Sequence, residues 1–184
     1  SLNSSLLCEC KRSIIEDISI IIYKYNYINT LYKYLKNKNH LLLIMANLQV
    51  YDTFDDMELK EDILRGIYSY GFEVPSSIQQ RAIKPLVEGK DLIAQSQSGT
   101  GKTATFTIGC LERVDITVMK PQILVLAPNR ELAMQIFSVF ESINSYYGVK
   151  GGLIMGGTDL KQNFRMLDEG LQYIVGTPGR VYDM

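Results

Sequence analysis

Ala94-Gln95-Ser96-Gln97-Ser98-Gly99-Thr100-Gly101-Lys102-Thr103 is the stretch on which the fold of this chain turns. Its second half has the parts that a triphosphate cradle needs. Small residues let backbone N–H groups turn inward around anionic oxygens, a lysine reaches the β and γ phosphates, and a hydroxyl can ligate Mg²⁺. That cradle comprises Ser98, Gly99, Thr100, Gly101, Lys102, Thr103 and Ala104, with Thr103 as the metal ligand. Leu92-Ile93-Ala94 before it reads as a strand, and Ala104 to Ile108 after it opens a helix whose N-terminus faces the phosphates. The strict glycine pattern asks for Gly where Ser96 stands, so the competing reading is a polar loop that binds nothing.

Outward from the loop, strands and helices alternate. Ile123-Leu124-Val125-Leu126, Gly152-Leu153-Ile154-Met155 and Tyr173-Ile174-Val175 read as further strands. Helical stretches lie between them at Lys102–Arg113, Arg130–Tyr147 and about Asp159–Leu167. Upstream, a helix is expected from about Glu58 to Tyr70, with Gly71 past its end. A second follows Pro75, with Ser76 as N-cap and Gly89 closing it. This alternation predicts an α/β fold, a parallel sheet flanked by helices on both faces, with ligands beyond the carboxyl ends of the strands.

The loops after the strands carry the remaining chemistry. Pro128 and Asn129 set up a helix start, and Arg130 in its first turn sits beside the positive dipole end, where a cation makes sense if an anion is near. The alternative is an ion pair with Glu131 or Glu141. Gly156 and Gly157 allow close backbone approach, or serve simply as turn residues. Thr177, Pro178, Gly179 and Arg180 combine an N-cap hydroxyl, a proline at the first helical position and a cation. Three such loops on one edge describe a track for a phosphate backbone.

Composition bounds these readings. The 184 residues suffice for one ordinary domain with a real core; 46% are hydrophobic and 21% charged, as in globular proteins. The formal net charge of −1 means that nucleic acid must be gripped by a few placed donors rather than by bulk charge. Cys8, Cys10, Cys110 and His40 make neither a metal-ligand spacing nor a disulfide framework, which points to a reducing, intracellular setting. The apolar run Ile18 to Tyr23 is too short to span a bilayer. Every glycine lies at or after Gly66, and residues 1–44 contain no Gly, Pro, Ala or Val. That bias predicts that 1–44 is an extension, disordered or mistranslated, with the functional domain over 45–184. The rival is an amphipathic helix around Ile14 to Leu35.

The order of motifs resembles the DEAD-box RNA helicases: Phe54, then Gly71 to Gln79, the phosphate loop, Pro128 to Ala133, Gly156-Gly157, and Thr177 to Arg180. The wording Leu64-Arg65-Gly66-Ile67-Tyr68 and Ile78-Gln79-Gln80-Arg81-Ala82-Ile83 is similar to the initiation factor 4A subgroup, and Ser96 leans toward its exon-junction paralogue. The resemblance implies a RecA-like P-loop domain and an ATP-dependent RNA helicase using ATP and Mg²⁺. It makes Gln79 the reader of adenine and Phe54 the ring that stacks on the base, although Phe54 taken alone reads as core. It assigns Pro128, Asn129, Arg130, Gly157, Thr177, Pro178, Gly179 and Arg180 to the sugar–phosphate backbone of RNA, single-stranded or in a short duplex, without sequence preference. It also implies a monomer in the nucleus or cytoplasm, family scaffold proteins as partners, and no membrane. Asn129 departs from the threonine usual at its position. The Asp-Glu-Ala-Asp motif does not occur before Met184, and Asp168-Glu169 lacks the strand that the motif needs. The expectation is a domain incomplete at its C-terminus that hydrolyses essentially no ATP alone. A non-enzymatic nucleotide- or RNA-binding product is the alternative.

Overall fold

Four parallel strands build the sheet in a computed structural model of the protein that describes residues 19–22, 49–90, 92, 94 and 96–184. They are β1 (Ser19–Ile22), β2 (Ile123–Leu126), β3 (Gly151–Ile154) and β4 (Tyr173–Gly176), in the order β1-β2-β4-β3. Leu126 and Ile154 both stand opposite Gly176, so the carboxyl ends of β2, β3 and β4 finish level. The three loops that follow them therefore leave from one edge, as the sequence predicts.

Among the described residues six α-helices accompany the sheet: α1 (Glu61–Ser69), α2 (Gln79–Val87), α3 (Lys102–Arg113), α4 (Arg130–Ile143), α5 (Leu160–Asp168) and α6 (Pro178–Asp183). One sheet face buries Val125, Tyr173 and Val175 against Ile108, Ile136 and Phe140 from α3 and α4. The Tyr173 ring stacks on Phe140 at 4.9 Å, and its hydroxyl donates to the Glu141 carboxylate. Burial, helped by that carboxylate, holds the Tyr173 phenol above its ordinary range. The other face buries Ile154, Leu171 and Ile174 beneath Met166, Leu167 and Val181. Full burial of each large apolar side chain contributes about 1.5–3 kcal/mol. The α/β fold with a parallel sheet between helical layers is thus the observed one.

α1 docks on the end of α4 because Gly66 permits it: a Cβ there would lie 1.9 Å from the Ile143 carbonyl oxygen. Gly71 and Gly89, at φ 96° and 77°, let the chain turn after α1 and α2.

The structure departs from the sequence reading at several points. Leu92 and Ala94 lie in no strand, and Ile93 is outside the described residues. A strand needs a neighbour's ladder as well as an apolar run, and Ser19–Ile22 pairs along the whole of β2 on the side away from β4. The same strand interrupts the helix considered for Ile14 to Leu35, whose other residues are outside the described ones. Ser76 does not cap α2; that helix starts at Gln79, because the Ser76 side chain is engaged elsewhere. The helix expected over Arg130–Tyr147 ends at Ile143 and finishes as a 3₁₀ turn over Asn144–Tyr146.

Candidate nucleotide and nucleic-acid site

The phosphate loop is organised around its lysine. Gly99 and Gly101 adopt φ 79° and 86°, and Gly101 is the N-cap position of α3. Residues with a Cβ rarely adopt such angles, which explains glycine at both places. The chain curls so that Lys102 Nζ donates to the carbonyl oxygens of Ser96 at 2.7 Å and Gln97 at 2.5 Å. Thr100 Oγ1 donates to the same Gln97 oxygen at 2.8 Å and lies against Ser96 Oγ. Ser98 and Gly99 are exposed, Thr103 is half-buried, and Ala104 is buried at the first turn of α3.

Gln79 is brought to this loop from α2. It is 2% exposed, its Oε1 accepts from the Ser76 N–H at 2.8 Å, and its Nε2 has no partner among the described residues. That Nε2 lies 2.7 Å from where a Cβ on Gly101 would stand, so a side chain there would displace the amide as well as strain the backbone at φ 86°. Ser76 Oγ donates to the Thr100 carbonyl oxygen at 2.8 Å, a second link between the α2 entry and the loop. An orphaned buried amide is costly unless a ligand or water completes it, and an amide can donate and accept at once.

Phe54 is fully buried. Its ring meets Tyr68 edge-on at 6.3 Å and Phe72 at 6.5 Å, within the main core. In this arrangement Phe54 offers no open face for a base, and the core role that it suggests in isolation is the one observed.

The strand-end loops come together around two arginines. Asn129 caps α4, its Oδ1 accepting from the Leu132 N–H at 2.8 Å. Arg130 is exposed and makes no ion pair with Glu131, Glu141 or any other group among the described residues. Its guanidinium lies against the Gly156-Gly157 backbone: a Cβ on Gly157, itself at φ 92°, would be 2.6 Å from Arg130 Nη1. Arg180 Nη1 donates to the Thr158 carbonyl oxygen at 3.1 Å, joining the loop after β4 to the loop after β3. Thr177 occupies the N-cap position of α6 without a side-chain cap bond, and Pro178 follows at the first helical position. Pro128, Pro178 and Gly179 are exposed. Arg130, Gly157, Thr177, Gly179 and Arg180 thus share one edge, while Lys102 and Gln79 form a separate cluster with Ser76.

Sequence reasoning missed three contributors. Ser76 bonds to the phosphate loop from the α2 entry, Ser96 bonds within that loop, and Thr158 donates to the Met155 carbonyl oxygen at 2.8 Å while Asn163 Nδ2 donates to its hydroxyl at 3.1 Å. Serine and threonine at turns have many local partners, so their type gives no signal of which one they take. Asn163, which fixes Thr158, is buried in the structure, and nothing in its type announces that.

Comparisons with known proteins identify the relatives of this chain. Eukaryotic initiation factor 4A of Drosophila melanogaster is 56% identical over 136 residues, which are 74% of this chain and 34% of that protein. Eukaryotic initiation factor 4A-3 of Arabidopsis thaliana is 54% identical over 136 residues, covering 74% and 33%. The chain therefore spans about a third of the length of these curated relatives. Among solved structures, a DEAD box protein from the hyperthermophile Methanococcus jannaschii superposes with TM-score 0.69 at 33% identity, over 73% of this chain and 37% of that one. A Saccharomyces cerevisiae Dbp5 variant bound to RNA and ADP BeF3 gives TM-score 0.65 at 40% identity, over 72% and 34%. The family model described as DEAD/DEAH box helicase matches residues 76–184, more than half of the chain, and the protein belongs to that family.

Proposed function

We propose that this chain supplies the adenine-nucleotide pocket and part of the RNA track of an ATP-dependent RNA helicase. The observation that carries the reading is the buried, half-satisfied Gln79 amide set against Gly101 of the loop that holds Lys102. Gln79 would read adenine, donating and accepting along one edge of the base. Lys102 would neutralise the terminal phosphates, and N–H groups of Ser98 to Ala104 would hold their oxygens. The left-handed Gly99 and Gly101 leave room for that approach. The Thr103 hydroxyl would hold Mg²⁺, which would supply charge neutralisation on the phosphates.

Arg130, Gly157, Thr177, Gly179 and Arg180, flanked by Pro128, Asn129 and Pro178, would hold the RNA backbone. Single strands or short duplexes would bind without sequence preference, because such contacts carry no base information. The active form is read as a monomer in the nucleus or cytoplasm, with scaffold proteins as partners. Among the described residues no helix is long and apolar enough to cross a membrane.

Titration with a fluorescent ADP analogue tests the reading. Loss of a charged donor to phosphate weakens binding on the order of tenfold or more, so Lys102→Ala should shift the curve by at least that factor. Gln79→Ala should narrow the preference for ADP over GDP. Superimposable curves for the parent and Lys102→Ala would remove the proposal.

A further inference from the structure

We propose that Ser96 is a positioning residue: its hydroxyl holds the phosphate loop in the arrangement that gives Lys102 to loop carbonyls, and so sets how readily the loop admits an anionic nucleotide tail. This rests on the nucleotide reading above and assigns a regulator within that site.

The proton count fixes the direction of the bonds. Thr100 has one hydroxyl proton, and it is donated to the Gln97 carbonyl oxygen at 2.8 Å. The close pair between Ser96 Oγ and Thr100 Oγ1 must then use the serine proton, with threonine accepting. The result is a directed chain from Ser96 to Thr100 to the oxygen of Gln97, where Lys102 Nζ also donates at 2.5 Å. The backbone oxygen of Ser96 takes a second ammonium proton at 2.7 Å. Ser96 thus contributes to both carbonyl seats of the lysine, one directly and one through Thr100. Chained hydroxyls polarise one another, so the seat at Gln97 depends on the far end of the chain.

Phosphate oxygens need the opposite arrangement. They require the ammonium free and N–H groups directed inward, whereas inward carbonyl oxygens repel them. The loop then has two arrangements, and nucleotide binds only one. Apparent affinity falls by the fraction of chains in the competent arrangement. A hydroxyl that favours the carbonyl-seated lysine lowers that fraction. The glycine of the strict phosphate-loop pattern has no such hydroxyl, so Ser96 is where this chain departs in chemistry as well as in spelling. Ser76 Oγ holds the Thr100 carbonyl oxygen independently at 2.8 Å, so removing the Ser96 hydroxyl leaves the loop backbone anchored.

The test is stopped-flow binding of a fluorescent ADP analogue to the full chain. The net effect of one neutral hydrogen bond corresponds to about 2- to 10-fold, so Ser96→Ala should raise the association rate and tighten affinity by about that factor. Ser96→Thr, which keeps the hydroxyl, should restore parental rates. Thr100→Val, which removes the acceptor, should accelerate binding on its own, and adding Ser96→Ala to it should change little, since the chain is already cut. Unchanged or weaker binding by Ser96→Ala at an unaltered melting temperature overturns the proposal. So does acceleration by both Ser96→Ala and Ser96→Thr, or failure of Thr100→Val to accelerate if Ser96→Ala does not fold. Equal binding by the parent and Lys102→Ala overturns the nucleotide reading and this inference with it. A difference at Lys102 with none at Ser96 overturns this inference alone.

Discussion

Lys102 and Arg130 each stand in the first turn of a helix, beside a positive dipole end, yet the molecule treats their charges in opposite ways. Lys102 is half-buried and its ammonium is seated on two carbonyls of its own loop. Arg130 is exposed and lies against glycine backbone with no ion pair among the described residues. The difference lies in what precedes each helix. Before α3, two glycines turn the chain back over the lysine and bring carbonyl oxygens within its reach. Before α4, Asn129 is extended and caps the helix with its side chain, leaving the guanidinium directed outward. A cation at a helix start is thus either withheld by its loop or presented by it. On the proposed function, the withheld charge must be released to meet phosphate, whereas the presented one is ready.

Reversing the presented charge puts this contrast under the greatest stress. Arg130→Glu should weaken binding of a labelled single-stranded RNA by about 10- to 100-fold at low salt, measured by fluorescence anisotropy. The slope of log affinity against log salt should flatten by about 0.7 for each phosphate that the variant no longer neutralises. A fall in nucleotide affinity as large as the fall for RNA would erase the distinction between the two cations.

A smaller effect is expected at Gly157, whose φ of 92° and closeness to Arg130 Nη1 leave no comfortable place for a Cβ. Gly157→Ala should cost about 1–2 kcal/mol in urea unfolding and weaken RNA binding less than Arg130→Glu. Unaltered stability would show that the loop re-forms freely and that the guanidinium is not held by its shape.

Least is expected of Asn129→Ala. The cap is exposed and the Leu132 N–H can turn to water, so the loss should be about 0.5 kcal/mol, the low end for such caps. A loss several times larger would mean that the cap orients Arg130 as well as closing α4.

Much of this arrangement was legible in the residues. The runs Ile123 to Leu126 and Tyr173 to Val175 are apolar, short and bounded by polar loops, and they form β2 and β4. Gly71 and Gly89 marked helix ends because the turns there need positive φ. The turns of the glycine-rich loop were legible because they are local in sequence, with Gly99 and Gly101 both at positive φ. Contacts between distant segments were not. Nothing in Ser76 announces a bond to the Thr100 carbonyl, and nothing in Ser19–Ile22 announces a partner in Ile123–Leu126. Leu92 and Ala94 lie in no strand for the same reason, since periodicity describes a segment and never its neighbour. Phe54 shows the converse: taken alone it reads as core, only its place relative to Gln79 suggested stacking, and it is completely buried.

The remote origin of β1 bears on how the sheet comes together. Ser19 faces Ile123, about a hundred positions along the chain, whereas β2 and β4 join over about fifty and β3 and β4 over about twenty, so loop-closure entropy rises in that order. Chain statistics therefore favour assembly from the C-terminal side, with β3 and β4 meeting early and β1 arriving last. Run in reverse, the same ordering makes β1 the first strand to detach, and its departure would expose the unpaired amides of β2 as a template for another backbone.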